Sequence, residues 1–292
     1  PADDAYLYGY NFEEQFKWAM GIDPEIIFIT GWNEWVAQRQ PATYQGPVRN
    51  EGPIVFLDNA SLNGSRDIEP MEDGYADNYY LQMISCIRDF KGLTVDNSRN
   101  NRTIDINGGF AQWNDIKAYY RDYKDDTADR KAGGWGSLKY TDNSGRNDFT
   151  ELKVSEDSDN LYFFARTAED ITAPEGNTWM NLFIGIDGAD PKSVWNGYGF
   201  VLNYKAPDKD GSMYLGRLAA GADYKVDALA EVPSRISGNM LMVSIPKSAL
   251  GIEGQASILF KWADNCVEGD VASFYTSGDA APIGRAGFYF GN

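Results

Sequence analysis

The sequence predicts a chain in two parts, α/β at its start and all-β after it. Three observations predict this. The first third mixes helical periodicity with short, continuously apolar runs; a polar, Asn-rich stretch follows; beyond it, apolar and polar residues alternate in short segments separated by Gly, Asn and Asp. With 292 residues, 43% of them apolar and 14% aromatic, the chain has material for two packed cores.

Residues 11–20 carry apolar side chains at helical spacing, and residues 25–30 (E-I-I-F-I-T) form an uninterrupted apolar run. Such a run is the pattern of a strand buried on both faces of a parallel sheet. Residues 53–57 (P-I-V-F-L) repeat it, and residues 77–90 read as an amphipathic helix with Tyr80, Met83, Ile84 and Ile87 on one stripe. These are βα units, assigned to residues 1–92. A parallel sheet leaves no strand face in water, so Ile26, Ile27, Phe28 and Ile29 are expected to be covered. Residues 93–102 lack periodicity and read as a linker. From residue 103 to 292, period-2 runs recur near Phe149, at residues 160–167, at Trp179, at Tyr198 and at Met240. Short strands punctuated by turn residues predict an antiparallel sandwich.

Composition excludes several functions. Acidic residues outnumber basic ones by 43 to 26, for a net charge of −17, so the surface repels nucleic acid and anionic membranes. Histidine is absent, which removes Ser-His-Asp and Cys-His catalysis and the H-E-x-x-H metal site. Catalysis would have to run on carboxylates, Tyr or Lys. Cys86 and Cys266 are far apart with no C-x-x-C spacing, and free thiols are expected. No apolar run is long enough to span a membrane. The chain begins with Pro1 and has no signal-peptide pattern, so a processed, truncated or partial chain is expected.

The run at residues 25–30 leads into G-W-N-E-W, which places Trp32, Asn33, Glu34 and Trp35 at the C-terminal mouth that β/α barrels give to substrate-binding and catalytic groups. A carboxylate there can protonate a glycosidic oxygen or attack the anomeric carbon, and Trp faces can stack on pyranose rings. The alternative is that both Trp rings pack between barrel and helices and Glu34 makes a structural hydrogen bond. The order G-W-N-E-W, S-R-D-I-E-P-M, G-x-x-D-N-Y-Y-L-Q, I-R-D-F-K-G resembles the end of bacterial barrels of glycoside hydrolase families 99 and 71 and of related polysaccharide-biosynthesis glycosyltransferases. The resemblance implies the end of a TIM-type (β/α) barrel, with Glu34 and Glu69 as catalytic carboxylates and Asn33 on a sugar hydroxyl. Arg66 and Asp67 would contact a hydroxyl pair or pair with each other. It also implies about six earlier strands outside these 292 residues, on the same or a separate chain, which would supply the principal acid and base, so these residues alone are expected to lack part of the active site.

In the second part, I-D-I-N-G-G-F-A-Q-W-N-D-I, then N-L-Y-F-F-A-R-T, W-M-N-L-F-I-G-I-D-G and W-N-G-Y-G-F-V-L-N-Y resemble family 9 carbohydrate-binding modules and DOMON-type sandwiches. That resemblance implies sugar rings held between aromatic faces. Trp135, Trp179 and Trp195 are the candidates, with Asn181 and Tyr198 as polar neighbours and Trp113 as a buried plug; each of these Trp residues could equally be core. Alternation puts Met180, Leu182, Ile184 and Ile186 on one face and Trp179, Asn181 and Phe183 on the other. No cofactor is required. The resemblance admits calcium, for which Asp157 with Asp159, Asp187 with Asp190, or Asp208 with Asp210 could supply oxygens, although none completes an EF-hand. The expected protein is a secreted, periplasmic or cell-surface glycoside hydrolase acting on a polysaccharide or glycan. A non-catalytic carbohydrate-binding protein and a purely structural sandwich are the alternatives.

Overall fold

The computed structural model describes residues 7–33, 39–41, 54–56, 67–70, 75–91, 101–126, 132–133, 139–140, 142, 144–190, 193–207, 211–219 and 224–291. The chain divides into two compact units, Pro1–Thr94 and Val95–Asn292.

The first unit holds two helices where helical spacing predicts them, α1 (Tyr10–Gly21) and α2 (Asn78–Phe90). Polar side chains of α2 tie it to the chain entering α1: Asn78 Nδ2 donates to the Leu7 carbonyl at 3.2 Å and Gln82 Nε2 to the Gly9 carbonyl at 3.2 Å. Phe16 of α1 and Tyr79 of α2 are buried, and Tyr79 packs on Tyr75 with ring centroids 4.6 Å apart.

Among the described residues of this unit no parallel sheet forms. Residues 25–30 form no strand, and Ile26 and Phe28 stand 80% and 85% exposed. The second apolar run does form a short strand, β2 (Ile54–Phe56), but it pairs antiparallel with β1 (Arg39–Pro41). An apolar run becomes a buried strand only where neighbours take up its N–H and C=O groups, and no described residue pairs with 25–30.

The second unit is an antiparallel sandwich. Its strands are β3 (Tyr119–Arg121), β4 (Ala132–Gly133), β5 (Lys139–Tyr140), β6 (Phe149–Glu156), β7 (Asn160–Thr167), β8 (Asn181–Ile186), β9 (Phe200–Leu202), β10 (Ser212–Leu218), β11 (Val226–Ser237), β12 (Met240–Pro246), β13 (Ile258–Asp264), β14 (Asp279–Ala281) and β15 (Phe288–Phe290). Two short helices, α3 (Lys247–Leu250) and α4 (Ser273–Thr276), follow β12 and precede β14. Apart from the small β4–β5 pair, one path of neighbours runs β14-β13-β8-β9-β10-β11-β12-β7-β6-β3, with β15 also on β13.

The long β11 turns that path into two layers. Its residues 226–233 pair with β10 and its residues 234–237 with β12, so one strand serves both sheets. Between the layers lie Leu152 and Val154 of β6, Leu161 and Phe163 of β7, and Leu241, Val243 and Ile245 of β12. Facing them are Leu182 and Ile184 of β8, Leu202 of β9, and Phe260 and Trp262 of β13. Phe163 meets Phe260 edge-on across the gap at 5.7 Å. The period-2 pattern makes this possible, since alternate residues point into the core and the rest point out.

Each outer face carries its own apolar cluster. Over β7 and β12, residues 104–116 lay Ile104, Trp113 and Ile116 against Tyr162, Phe164 and Met242. Over β8, β9 and β13, Trp195, Tyr198, Cys266 and Phe274 gather on Phe183, Val201 and Ala263.

Candidate functional site

The cleft forms on the second of these faces. Alternation along β8 turns Phe183 outward while Leu182 and Ile184 enter the core, and Phe183 becomes the centre of an aromatic group. Trp195 lies 5.7 Å from it, Phe274 5.5 Å edge-on and Tyr198 5.7 Å. Trp195 is also edge-on to Tyr224 at 5.0 Å.

A two-residue turn places Trp195. Trp195 and Tyr198 exchange backbone hydrogen bonds of 3.0 and 2.8 Å, and between them Asn196 and Gly197 take φ of 49° and 89°. Two successive positive φ values are the type I′ hairpin turn, for which Asn-Gly is the preferred pair. Gly185 on β8 lets this hairpin lie close, because a Cβ there would run into the Gly197 carbonyl.

The cleft is lined by Asn177, Thr178, Asn181, Phe183, Trp195, Tyr224, Cys266, Val267, Glu268, Gly269 and Phe274. Trp195, Phe183, Phe274, Asn181 and Cys266 are buried and make its base, whereas Asn177, Val267 and Glu268 are exposed and make its rim. It measures about 260 Å³ with the open solvent at its mouth included, and only a small part of that is enclosed. That is room for about one enclosed water, so a larger ligand would stack at the mouth.

Polar groups at the cleft are fixed before any ligand arrives. Asn181 Nδ2 donates to the Asn177 carbonyl at 3.1 Å and the Asn203 carbonyl at 2.9 Å, which holds the loop before β8. Asn177 Nδ2 donates to Glu268 Oε2. Burial pushes the Tyr224 hydroxyl pKa well up, and the Glu268 charge adds to it, so Tyr224 stays a neutral phenol able to donate. Aromatic edges below an amide, a carboxylate and a phenol suit a ligand with one apolar ring face and a belt of hydroxyls. Glu268 is the sole carboxylate among the described lining residues, and glycoside cleavage uses two.

Of the residues expected to stack on sugar, Trp195 lies in this cleft, with Asn181 beside it and Tyr198 in the same cluster. Trp179 does not. It is fully buried in the main core, with Nε1 donating to the Thr172 carbonyl at 3.0 Å. The alternation that would turn it outward breaks at Met180, whose φ is 42°, so parity counted along β8 does not extend to Trp179. Trp113 is buried as a plug, its Nε1 3.4 Å from Met242 Sδ. Trp135 lies outside the described residues.

In the first unit, Glu34, Trp35 and Arg66 also lie outside the described residues. The structure brings three others together: Asn33 Nδ2 donates to Glu69 Oε2 at 2.8 Å, and the Glu69 N–H donates to the Trp32 carbonyl at 2.9 Å. Trp32 is 46% exposed and edge-on to Tyr80 at 6.0 Å. Nearby, the Asp67 N–H donates to the Tyr75 hydroxyl at 2.9 Å.

The acidic turns considered for calcium have other work where they are described. Asp157 accepts from the Asp159 and Asn160 N–H groups at 2.9 and 2.8 Å and from the Tyr162 hydroxyl. Asp187 accepts from the Ser257 hydroxyl at 2.9 Å, while Asp208 and Asp210 lie outside the described residues. Both cysteines are free thiols, Cys266 buried and Cys86 half-buried.

Tyr224, Glu268, Asn177 and Phe274 are among the cleft residues that sequence reasoning missed. Only the W-N-G-Y turn carried a local signal: Asn177 comes from the loop before β8, Tyr224 and Glu268 from the segments after β10 and β13, and Phe274 from α4, none with a pattern of its own.

No protein-family model matches the chain, and no curated protein matches it. Among solved structures, a family 9 carbohydrate-binding module from Caldicellulosiruptor kristjanssonii in complex with glucose aligns at a TM-score of 0.30 and 11% identity, covering 63% of this chain and 81% of that one.

Proposed function

We propose that the sandwich is a non-catalytic carbohydrate-binding module that holds neutral saccharide at the mouth of the cleft. The observation that carries this reading is the grouping of Trp195, Tyr224, Phe183 and Phe274 beneath Asn177 and Glu268. Glu268 at the rim and a net charge of −17 disfavour an acidic glycan. A single lining carboxylate favours holding over cutting. Such a module works where polysaccharide is found, at or beyond the cell surface.

Affinity electrophoresis of the full chain through gels containing β-glucan, xylan or mannan tests it, with isothermal titration of the matching oligosaccharides. At least one neutral polysaccharide retards the wild type. Tyr224→Ala weakens that binding about tenfold or more, the loss expected of a stacking ring with a hydrogen-bonding tip. Migration unaffected by every neutral polysaccharide, or equal retardation of wild type and Tyr224→Ala, overturns the reading.

A second reading, glycoside cleavage, is favoured by Glu69 held by Asn33 with Trp32 half-exposed beside it. Hydrolysis would need a second carboxylate facing Glu69. Release of reducing ends from the same polysaccharides, abolished by Glu69→Gln, is its test; unchanged release by Glu69→Gln removes Glu69 from the chemistry.

A further inference from the structure

The first strand of the sandwich and a strand near its end are the two ends of the neighbour path, and carboxylates meet between them. Asp122 directly follows β3, Asp126 lies one turn on, and Asp279 opens β14. One carboxylate oxygen from each lies within 4.8 Å of the others. Asp279 is fully buried: its Oδ2 accepts from the Phe149 N–H at 2.6 Å, and its Oδ1 has no hydrogen-bond partner. Asp122 Oδ2 and Asp148 Oδ1 are likewise buried without partners.

Hydrogen bonds in a folded protein satisfy nearly all buried polar atoms, and an orphaned carboxylate oxygen is among the costliest exceptions. The nearby positive charge is small by comparison. Lys261 is fully buried, and its Nζ donates to the Pro282 carbonyl. Against it stand Asp122, Asp126, Asp148 and Asp279. Three of these carboxylates place an oxygen within 4.8 Å of one another, and the burial of Asp279 keeps water from separating their charges. Each carboxylate thus makes its neighbours harder to ionise. A divalent cation removes that conflict and supplies the missing partner of Asp279 Oδ1.

We propose that Asp122, Asp126 and Asp279 bind a calcium ion that joins β3 to β14 and closes the seam between the two ends of the strand path. The donors are all oxygen, which selects a hard cation over zinc or copper. They come from a loop and a distant strand, and calcium tolerates such irregular geometry better than magnesium, filling its remaining positions with backbone carbonyls and water. Sequence spacing hides the site, because Asp126 and Asp279 lie on opposite ends of the sandwich segment.

The test uses the full chain stripped of metal by chelator, with calcium chloride alone added, read by titration calorimetry and thermal unfolding. One equivalent of calcium binds, and 2 mM raises the Tm by about 5 °C or more. Asp122→Asn and Asp279→Asn each abolish that rise while the calcium-free Tm stays level or increases, since one of the crowded charges has gone. Asp187→Asn, on an exposed turn away from the site, keeps the rise. A wild type that neither takes up calcium nor shifts its Tm overturns the proposal. So does a full rise in both Asp122→Asn and Asp279→Asn, or loss of the rise in Asp187→Asn. An equal rise with magnesium overturns the assignment to calcium. None of these readouts involves saccharide, so this site and the cleft stand or fall separately.

Discussion

The two outer faces of the sandwich are built from similar material and end differently. Over β7 and β12, Trp113 lies against Phe164 at 5.4 Å, its N–H is taken up by Met242, and its carbonyl accepts from Lys153 Nζ at 2.9 Å. Both polar groups of Trp113 are thus taken up within the fold. Over β8 and β13, Trp195 likewise packs on rings, Phe183, Tyr224 and Phe274, yet its neighbours at the rim are Asn177 and Glu268, exposed and polar. Aromatic content therefore does not distinguish plug from site. The polar groups beside the rings do.

The sharpest way to separate the faces is to remove one ring from each. Trp113→Ala takes out a side chain that is 1% exposed and leaves a cavity, so stability in urea should fall by about 4 kcal/mol with saccharide binding unchanged. Tyr224→Ala, half-buried, should cost less stability and most of the binding. If Trp113→Ala weakened saccharide binding as much as Tyr224→Ala does, the distinction between plug and site would fail.

A smaller effect is expected from the glycine that admits the Trp195 hairpin. Gly185→Ala puts a methyl group where the Gly197 carbonyl lies, and the hairpin must lift to make room. Overpacking of this kind costs about 1–3 kcal/mol. Retention of full saccharide affinity by a folded Gly185→Ala protein would show that the hairpin's position is not what makes the cleft.

The difference between the faces also marks what could be read in the sequence. The helices at residues 10–21 and 78–90 and the strands at 149–156, 160–167 and 240–246 announce themselves, because their periodicity is set by the same burial that forms them. The run at 25–30 failed for the opposite reason. Its four apolar residues say nothing about whether a neighbouring strand exists to bond them. Trp179 failed because one residue with positive φ, Met180, reverses the parity on which its outward placement depended. Trp195 was legible as an aromatic beside an Asn-Gly turn, but Tyr224, Phe274 and Glu268 join it through tertiary packing that leaves no local pattern. Asp122 and Asp279 are the extreme case, with most of the sandwich between them.

The smallest expected effect concerns acid, and it falls on the sealed face. Asp157 is partly shielded, which by itself would raise its pKa, but the Tyr162 hydroxyl and the Asp159 and Asn160 N–H groups outweigh this and hold it at about 2. A carboxyl lowered on folding adds stability above its unfolded value near 3.8 and loses it as pH falls through the folded value. The contribution is therefore complete at pH 5 and disappears between about 4 and 2. Tyr162 belongs to the Trp113 cluster, so this acid-sensitive contact anchors the plug and not the cleft. Tm measured from pH 5 to pH 2 should fall more steeply for wild type than for Asp157→Asn, the two curves converging at the acid end. Parallel curves would mean that Asp157 adds nothing to the sealed face, whose stability would then rest on apolar packing alone.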